Sequence, residues 1–242
     1  MDILNIQQMN EYFIAVWPEE GCGFLVDNMF LPMPNIAENP QTDFKISGIE
    51  FVKHNVQAVI HSHVVSKDFP KDEFGRTYDF RTPSMNDMKC QIDTNVPWAI
   101  VATDGENVNE PIWFGKDQPD DLYGRPFIHN VYDCYEAIRD WYKLNSKVRM
   151  SSYPRPLFWA EYDQNLYENN YKREGFVKIE KGDEEYGDMV YFKIRTNYVN
   201  HAGIYLGHDT FYHHLYGRLS GDDRLSKWYK QFVYACRHPD LL

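Results

Sequence analysis

Apolar residues recur at helical spacing early in the chain, at Met9, Tyr12, Phe13, Val16 and Trp17, and Pro18 ends the run; the pattern predicts an amphipathic helix. Three stretches then read as strands: GFLV (23–26), NVQAVIHSH (55–63) and VPWAIVATDG (96–105). The last closes on the Asp104-Gly105 turn before VNEPIWFG. Between the second and third, TPSMNDMKCQID (82–93) carries Ser84 and Asp87 at the spacing of a capping box, which predicts a helix start. This half is mixed α and β.

After Trp113 the periodicity stops. FGKDQPDDLYGRP is polar and broken by proline and glycine, so it predicts a boundary: a first domain over 1–114, a linker at 115–122 and a second domain over 123–242. Within the second, DCYEAIRDWYKL predicts a helix with Ile138, Trp141 and Tyr142 on one face. YGDMVYFKI, HAGIYLG and TFYHHL predict strands of an antiparallel sheet, and the whole an α+β unit. There is no internal repeat and no low-complexity tract.

Composition narrows the function classes. Apolar residues make up 43% of the chain, enough for a folded core. No stretch approaches the roughly 20 apolar residues that span a bilayer, so no membrane role is expected. A formal charge of -11, with no basic block, opposes a surface built on phosphates, and nucleic acid is excluded as a partner. The opening MDILNIQQMNEYF lacks the layout of a secretory leader, which predicts a start in a cytoplasm. Cys22, Cys90, Cys134 and Cys236 form no C-x-x-C pair.

Two groups of residues carry candidate chemistry. Alternation along a strand turns His61 and His63 to one face, roughly 6 to 7 Å apart at their Cα atoms, where two imidazoles converge on one ion. Asp87, one turn into the next helix, is a candidate third ligand for zinc, and Glu20 a candidate base for water. Taken singly, H-x-H is a weak signal and Ser84 with Asp87 also reads as a plain helix cap. In combination and in this order, EGCGFL, HSH and SMND resemble the JAMM (MPN-type) metallopeptidases. The resemblance implies that His61, His63 and Asp87 bind zinc, Glu20 activates water and Ser84 stabilises the tetrahedral intermediate. One departure is the segment between His63 and Ser84, residues 64–83, where the family has about ten residues or fewer. Residues 64–82 of it read as a mobile surface loop inserted between fixed elements.

The second group centres on Cys134. It follows Asp133 at a helix start, Asp133 and Glu136 have capping-box spacing, and the helix field there favours a thiolate nucleophile. His201, His213 and His214 are candidates for its base and the group behind it. DCYEAIRDWY, GDMVYF and HAGIYLG…FYHH resemble the corresponding segments of NlpC-type cysteine peptidases, a papain-like fold that cuts peptidoglycan stem peptides. The resemblance implies Cys134 as nucleophile, His201 as general base and His213, twelve positions on, as the orienting residue. Residue pattern alone leaves His213 and His214 open, since a one-residue change of hairpin register swaps their faces. Tyr135 departs from the family, which has serine beside the nucleophile on the substrate side.

A JAMM-type mixed α/β domain followed by a papain-like NlpC-type α+β domain resembles the tail tip proteins of lambda-like phages. That implies a hydrolase made in the host cytoplasm, built onto a tail tip and acting at the cell envelope. Its expected cofactor is zinc, and its expected partners are peptidoglycan stem peptides and other tail tip proteins. The alternative is a tail assembly or structural factor that processes tail proteins or whose sites are idle.

Overall fold

A computed structural model describes residues 1–65, 68, 70–72, 75–157, 159 and 164–241, which form two compact units, Met1–Asp117 and Gln118–Leu242. Unit one opens with helix α1 (Ile6–Val16), whose Met9 and Phe13 are fully buried. Strand β1 (Cys22–Val26) turns into β2 (Met29–Met33) through Asp27 and Asn28, both at positive φ, the geometry a two-residue hairpin demands. The apolar pattern does not reveal β2: Pro32 interrupts it, as an edge strand allows. A short helix α2 (Gly48–Lys53), also unforeseen, precedes β3 (Ala58–Val64), α3 (Met85–Thr94), β4 (Trp98–Thr103) and β5 (Ile112–Phe114).

The sheet order is β2-β1-β3-β4-β5, with β3 and β4 parallel and the other pairs antiparallel. Central position explains why Ala58 to Ser62 are all buried and read as a continuous run. Leu25, Ala58, Ile60, Ala99 and Val101 join Met9 and Phe13 in one core cluster.

Unit two begins with helix α4 (Cys134–Asn145), preceded by loop sequence that is packed rather than free: Leu122 O accepts from Tyr212 Oη at 2.6 Å and from Ser220 Oγ at 2.7 Å. Helix α5 (Leu166–Asn170) and strands β6 (Val177–Ile179), β7 (Met189–Phe192), β8 (His201–Gly207), β9 (Thr210–His213), β10 (Gly221–Arg224) and β11 (Phe232–Arg237) follow. The six strands are antiparallel in the order β10-β9-β8-β7-β11-β6.

Alternation divides this sheet into two apolar faces. Ala202, Ile204 and Tyr212 pack with Ile138, Trp141 and Tyr142 of α4. On the other face Val190, Phe192, Phe211 and Phe232 form a second cluster. Gly203 lets β9 close on β8, because a Cβ there would meet Tyr212 O at 2.5 Å and His213 Cβ at 3.1 Å.

Candidate functional site

In unit one, β3 and the first turn of α3 bring three expected residues together. The ligand atoms of His61, His63 and Asp87 lie within 4.8 Å of one another. His61 Nε2 is 3.1 Å from His63 Nε2 and 3.4 Å from Asp87 Oδ1, and His63 Nε2 is 3.7 Å from Asp87 Oδ2. The capping box holds Asp87: Asp87 N donates to Ser84 Oγ at 3.1 Å, and Ser84 N donates to Asp87 Oδ2 at 2.7 Å. So the cap and the carboxylate cluster, alternatives in sequence, coexist.

Three supports were not legible. His63 Nδ1 donates to Phe80 O at 2.6 Å, which leaves Nε2 a lone pair; the inserted segment thus supplies a partner to this imidazole. His61 Nδ1 has no partner among the described residues, and its ring is held by Phe44, stacked at 4.3 Å, and the edge of Trp98. Ser62, facing the other way, accepts from Gly21 N at 2.8 Å and donates its own N–H to Gly21 O at 2.9 Å, which ties the Glu20-Gly21 step to β3.

The electrostatics favour positive charge at this point. Burial pushes His61 down to about 3, so it is a neutral nitrogen donor. Burial opposes protonation of His63 too, yet the adjoining Asp87 carboxylate and the Phe80 carbonyl raise it overall. Burial acts upward on Asp87, but His61 and His63 hold it well below the usual carboxylate range. Glu20 is pushed up to about 7, first by burial, with His63 opposing and Asp87 adding. Two imidazole nitrogens and a carboxylate suit a divalent cation such as zinc.

The expectation of a mobile loop over 64–82 falls partly on residues 66, 67, 69, 73 and 74, which lie outside the described residues. Its described part holds the Lys71–Thr77 bridge and Arg81 Nη1 donating to Glu110 O at 2.9 Å.

In unit two, Asp133 caps α4 by accepting from Tyr135 N and Glu136 N, each at 3.0 Å. Glu136 does not complete the box; its carboxylate pairs instead with Arg139 and, at 3.0 Å, with Arg155 Nη2. Cys134 Sγ accepts from Tyr167 Oη at 3.2 Å. His201 Nε2 lies 2.9 Å from His213 Nδ1. His214 falls on the opposite face, its Nε2 donating to Arg218 O at 3.2 Å. Register therefore selects His213 as the partner of His201.

The thiol differs from expectation. Burial pushes Cys134 up to about 12, and the Asp133 carboxylate at the cap adds to this, outweighing the Tyr167 hydroxyl and Arg155. Burial first and then the capping carboxylate oppose the helix field and favour the thiol form of Cys134. Burial likewise holds His201 well below its ordinary value, with His213 and His214 contributing, and leaves a neutral imidazole able to accept a proton. Sequence reading missed Tyr167 and Arg155; no local pattern marks either.

Residues 113–237, just over half of the chain, match the NlpC/P60 family. The chain belongs to the NlpC/P60 family. That membership implies a papain-like mixed α/β fold and a cysteine hydrolase in the second unit. The NlpC/P60 chain is 26% identical over 216 residues to tail tip assembly protein K of Escherichia phage N15, covering 85% of this chain and 82% of that one. It is 30% identical over 153 residues to tail tip assembly protein K of Escherichia phage lambda, covering 63% and 73%. The resemblance to lambda-like tail tip proteins therefore holds against both phage relatives. Similar solved structures include the NlpC/P60 domain of the peptidoglycan hydrolase SagA, at 15% identity and a TM-score of 0.35, covering 48% of this chain and 89% of that one. Another is an NlpC/P60 family protein from Bacillus cereus, at 14% identity and a TM-score of 0.35, covering 96% and 67%.

Proposed function

We propose that the second unit is a cysteine endopeptidase that cuts a peptide bond in the peptidoglycan stem, with Cys134 as nucleophile, His201 as general base and His213 orienting His201. The observation that carries this is the His201–His213 pair at 2.9 Å in an NlpC/P60 unit whose helix α4 begins at Cys134. His201 takes the thiol proton as sulfur attacks the carbonyl carbon. The C–N bond breaks as that proton passes to the leaving amine. Water then attacks the thioester, giving the acid and regenerating the thiol.

The first unit is a JAMM-type amide hydrolase in this reading. His61, His63 and Asp87 would hold a zinc ion, which when bound supplies Lewis acidity toward a carbonyl and toward water. Glu20, pushed up by burial, holds and returns a proton, and the Ser84 hydroxyl donates to the developing oxyanion. The names of the two phage relatives support a part in tail tip assembly, and the proposal adds synthesis in the host cytoplasm, contact with other tail tip proteins and action at the cell envelope.

The test is to incubate the full chain with purified peptidoglycan and identify new termini by mass spectrometry, with Cys134→Ala and a chelator as separate arms. New stem-peptide termini that vanish with Cys134→Ala and survive chelation are expected. Termini that persist in Cys134→Ala and vanish with chelator would transfer the activity to the first unit and sink the cysteine assignment.

A further inference from the structure

Beside the start of α4 lies a cavity of about 100 Å³ whose walls include the rings of Tyr135, Tyr153, Tyr167 and Tyr191. Three of the hydroxyls are already engaged: Tyr135 Oη donates to Ser151 O at 2.8 Å, Tyr153 Oη to Glu174, and Tyr167 Oη to Cys134 Sγ at 3.2 Å. Apolar side chains dominate the lining, with Met150, Leu166 and Met189 beside the rings. One lining group still has a donor to offer. Arg155, 3% exposed, directs Nη1 to Tyr153 O and Nη2 to Asp133 and Glu136, while its buried Nε–H has no partner among the described residues. A buried guanidinium donor without an acceptor is costly, and a ligand oxygen would satisfy it.

The cavity adjoins the nucleophile. Tyr167 is at once a wall and the hydroxyl on Cys134 Sγ, and Tyr135 directly follows Cys134. Its size is selective: an apolar cavity of roughly 150 Å³ takes a benzene-sized guest. About 100 Å³ suits a branched aliphatic side chain, is small for a phenyl ring and is poorly filled by a methyl group.

We propose that this cavity is a substrate subsite that takes a branched aliphatic residue of a polypeptide next to the scissile bond, with a substrate carbonyl oxygen accepting from Arg155 Nε. It rests on Cys134 being the nucleophile of this unit, and adds a polypeptide substrate class to the stem peptide.

Two measurements on the full chain test it. Matched synthetic peptides carrying leucine, alanine or phenylalanine at one scanned position are assayed for cleavage, and leucine is expected to lead the others about tenfold or more in kcat/KM. Binding of N-acetyl-leucinamide to the Cys134→Ala protein is followed by calorimetry. Asn170→Trp, which puts a large ring at a lining position, and Arg155→Lys, which keeps the charge but removes the Nε donor, should each weaken that binding. Cys134-dependent cleavage with no leucine preference, and no binding of the amide, would make the cavity a packing void and overturn the inference while leaving the nucleophile in place. If Cys134→Ala retains cleavage, the nucleophile assignment falls instead, and the amide titration still decides the cavity.

Discussion

Arg155 Nη2 donates to Asp133 Oδ2 across 2.9 Å, and both side chains are 3% exposed. The pair fixes the cap of the nucleophile's helix from a loop twenty-two residues further along the chain. Its planar guanidinium also reaches Glu136 and lies over the Tyr135 ring at 4.8 Å. Arg155→Met should therefore leave two buried carboxylates with too few partners, at a cost of about 3–5 kcal/mol. Urea denaturation of the variant beside wild type measures it; a loss within experimental error would show that the pair does not hold the cap.

Gly203→Ala bears on the histidine pair without touching either ring. A Cβ 2.5 Å from Tyr212 O must push β9 from β8, which separates His213 from His201. Turnover should fall at least as far as in His213→Ala. Wild-type turnover in Gly203→Ala would mean that this register is not needed for catalysis.

Acid should destabilise unit two well above the carboxylate range. Burial lowers His213 and His214 to about 4 and His201 further, against an unfolded value of roughly 6.5. Between those values the unfolded chain binds protons that the folded one refuses. Stability is therefore lost as pH falls from about 6.5 toward 4, at roughly 1.4 kcal/mol per pH unit for each histidine. Asp133, depressed by Arg155 and His129 against the effect of burial, is fully stabilising above its unfolded value and loses its contribution only at lower pH. Urea midpoints near pH 7 and near pH 5 should differ strongly in wild type and less in a His213→Asn, His214→Asn double variant. Equal slopes would remove these histidines from the account.

Metal binding and hydrolysis should separate in unit one. Replacing His61 and His63 together with alanine should abolish a tight zinc site, whereas Glu20→Gln should retain the metal and lose hydrolysis. Zinc titration of the chelator-stripped protein reads the first outcome and an amide-cleavage assay the second. An unaltered zinc affinity in the double histidine variant would refute the ligand set.

Local pattern was sufficient wherever the governing interaction lies within a few residues. Ser84 and Asp87 close a capping box across one turn, Ile138, Trp141 and Tyr142 line one helix face, and alternation along β3 pairs His61 with His63. Helix periodicity and strand alternation are properties of the backbone itself, so such positions are readable without a partner. The strands β2 and β6 and the helices α2 and α5 lack that pattern; β2 and β6 are sheet edges, stabilised by a neighbour on one side only. Residue pattern left His213 and His214 open, and hairpin register, which depends on how β9 closes over Gly203, put His213 beside His201. Tertiary structure alone brought Tyr167 to Cys134, Phe80 to His63 and Arg155 to Asp133, since those partners come from chain distant in sequence and no spacing rule links them. It also set the resting state of the thiol. The helix field is a local property, but the burial that opposes it acts on the sulfur only once the whole unit has folded around it.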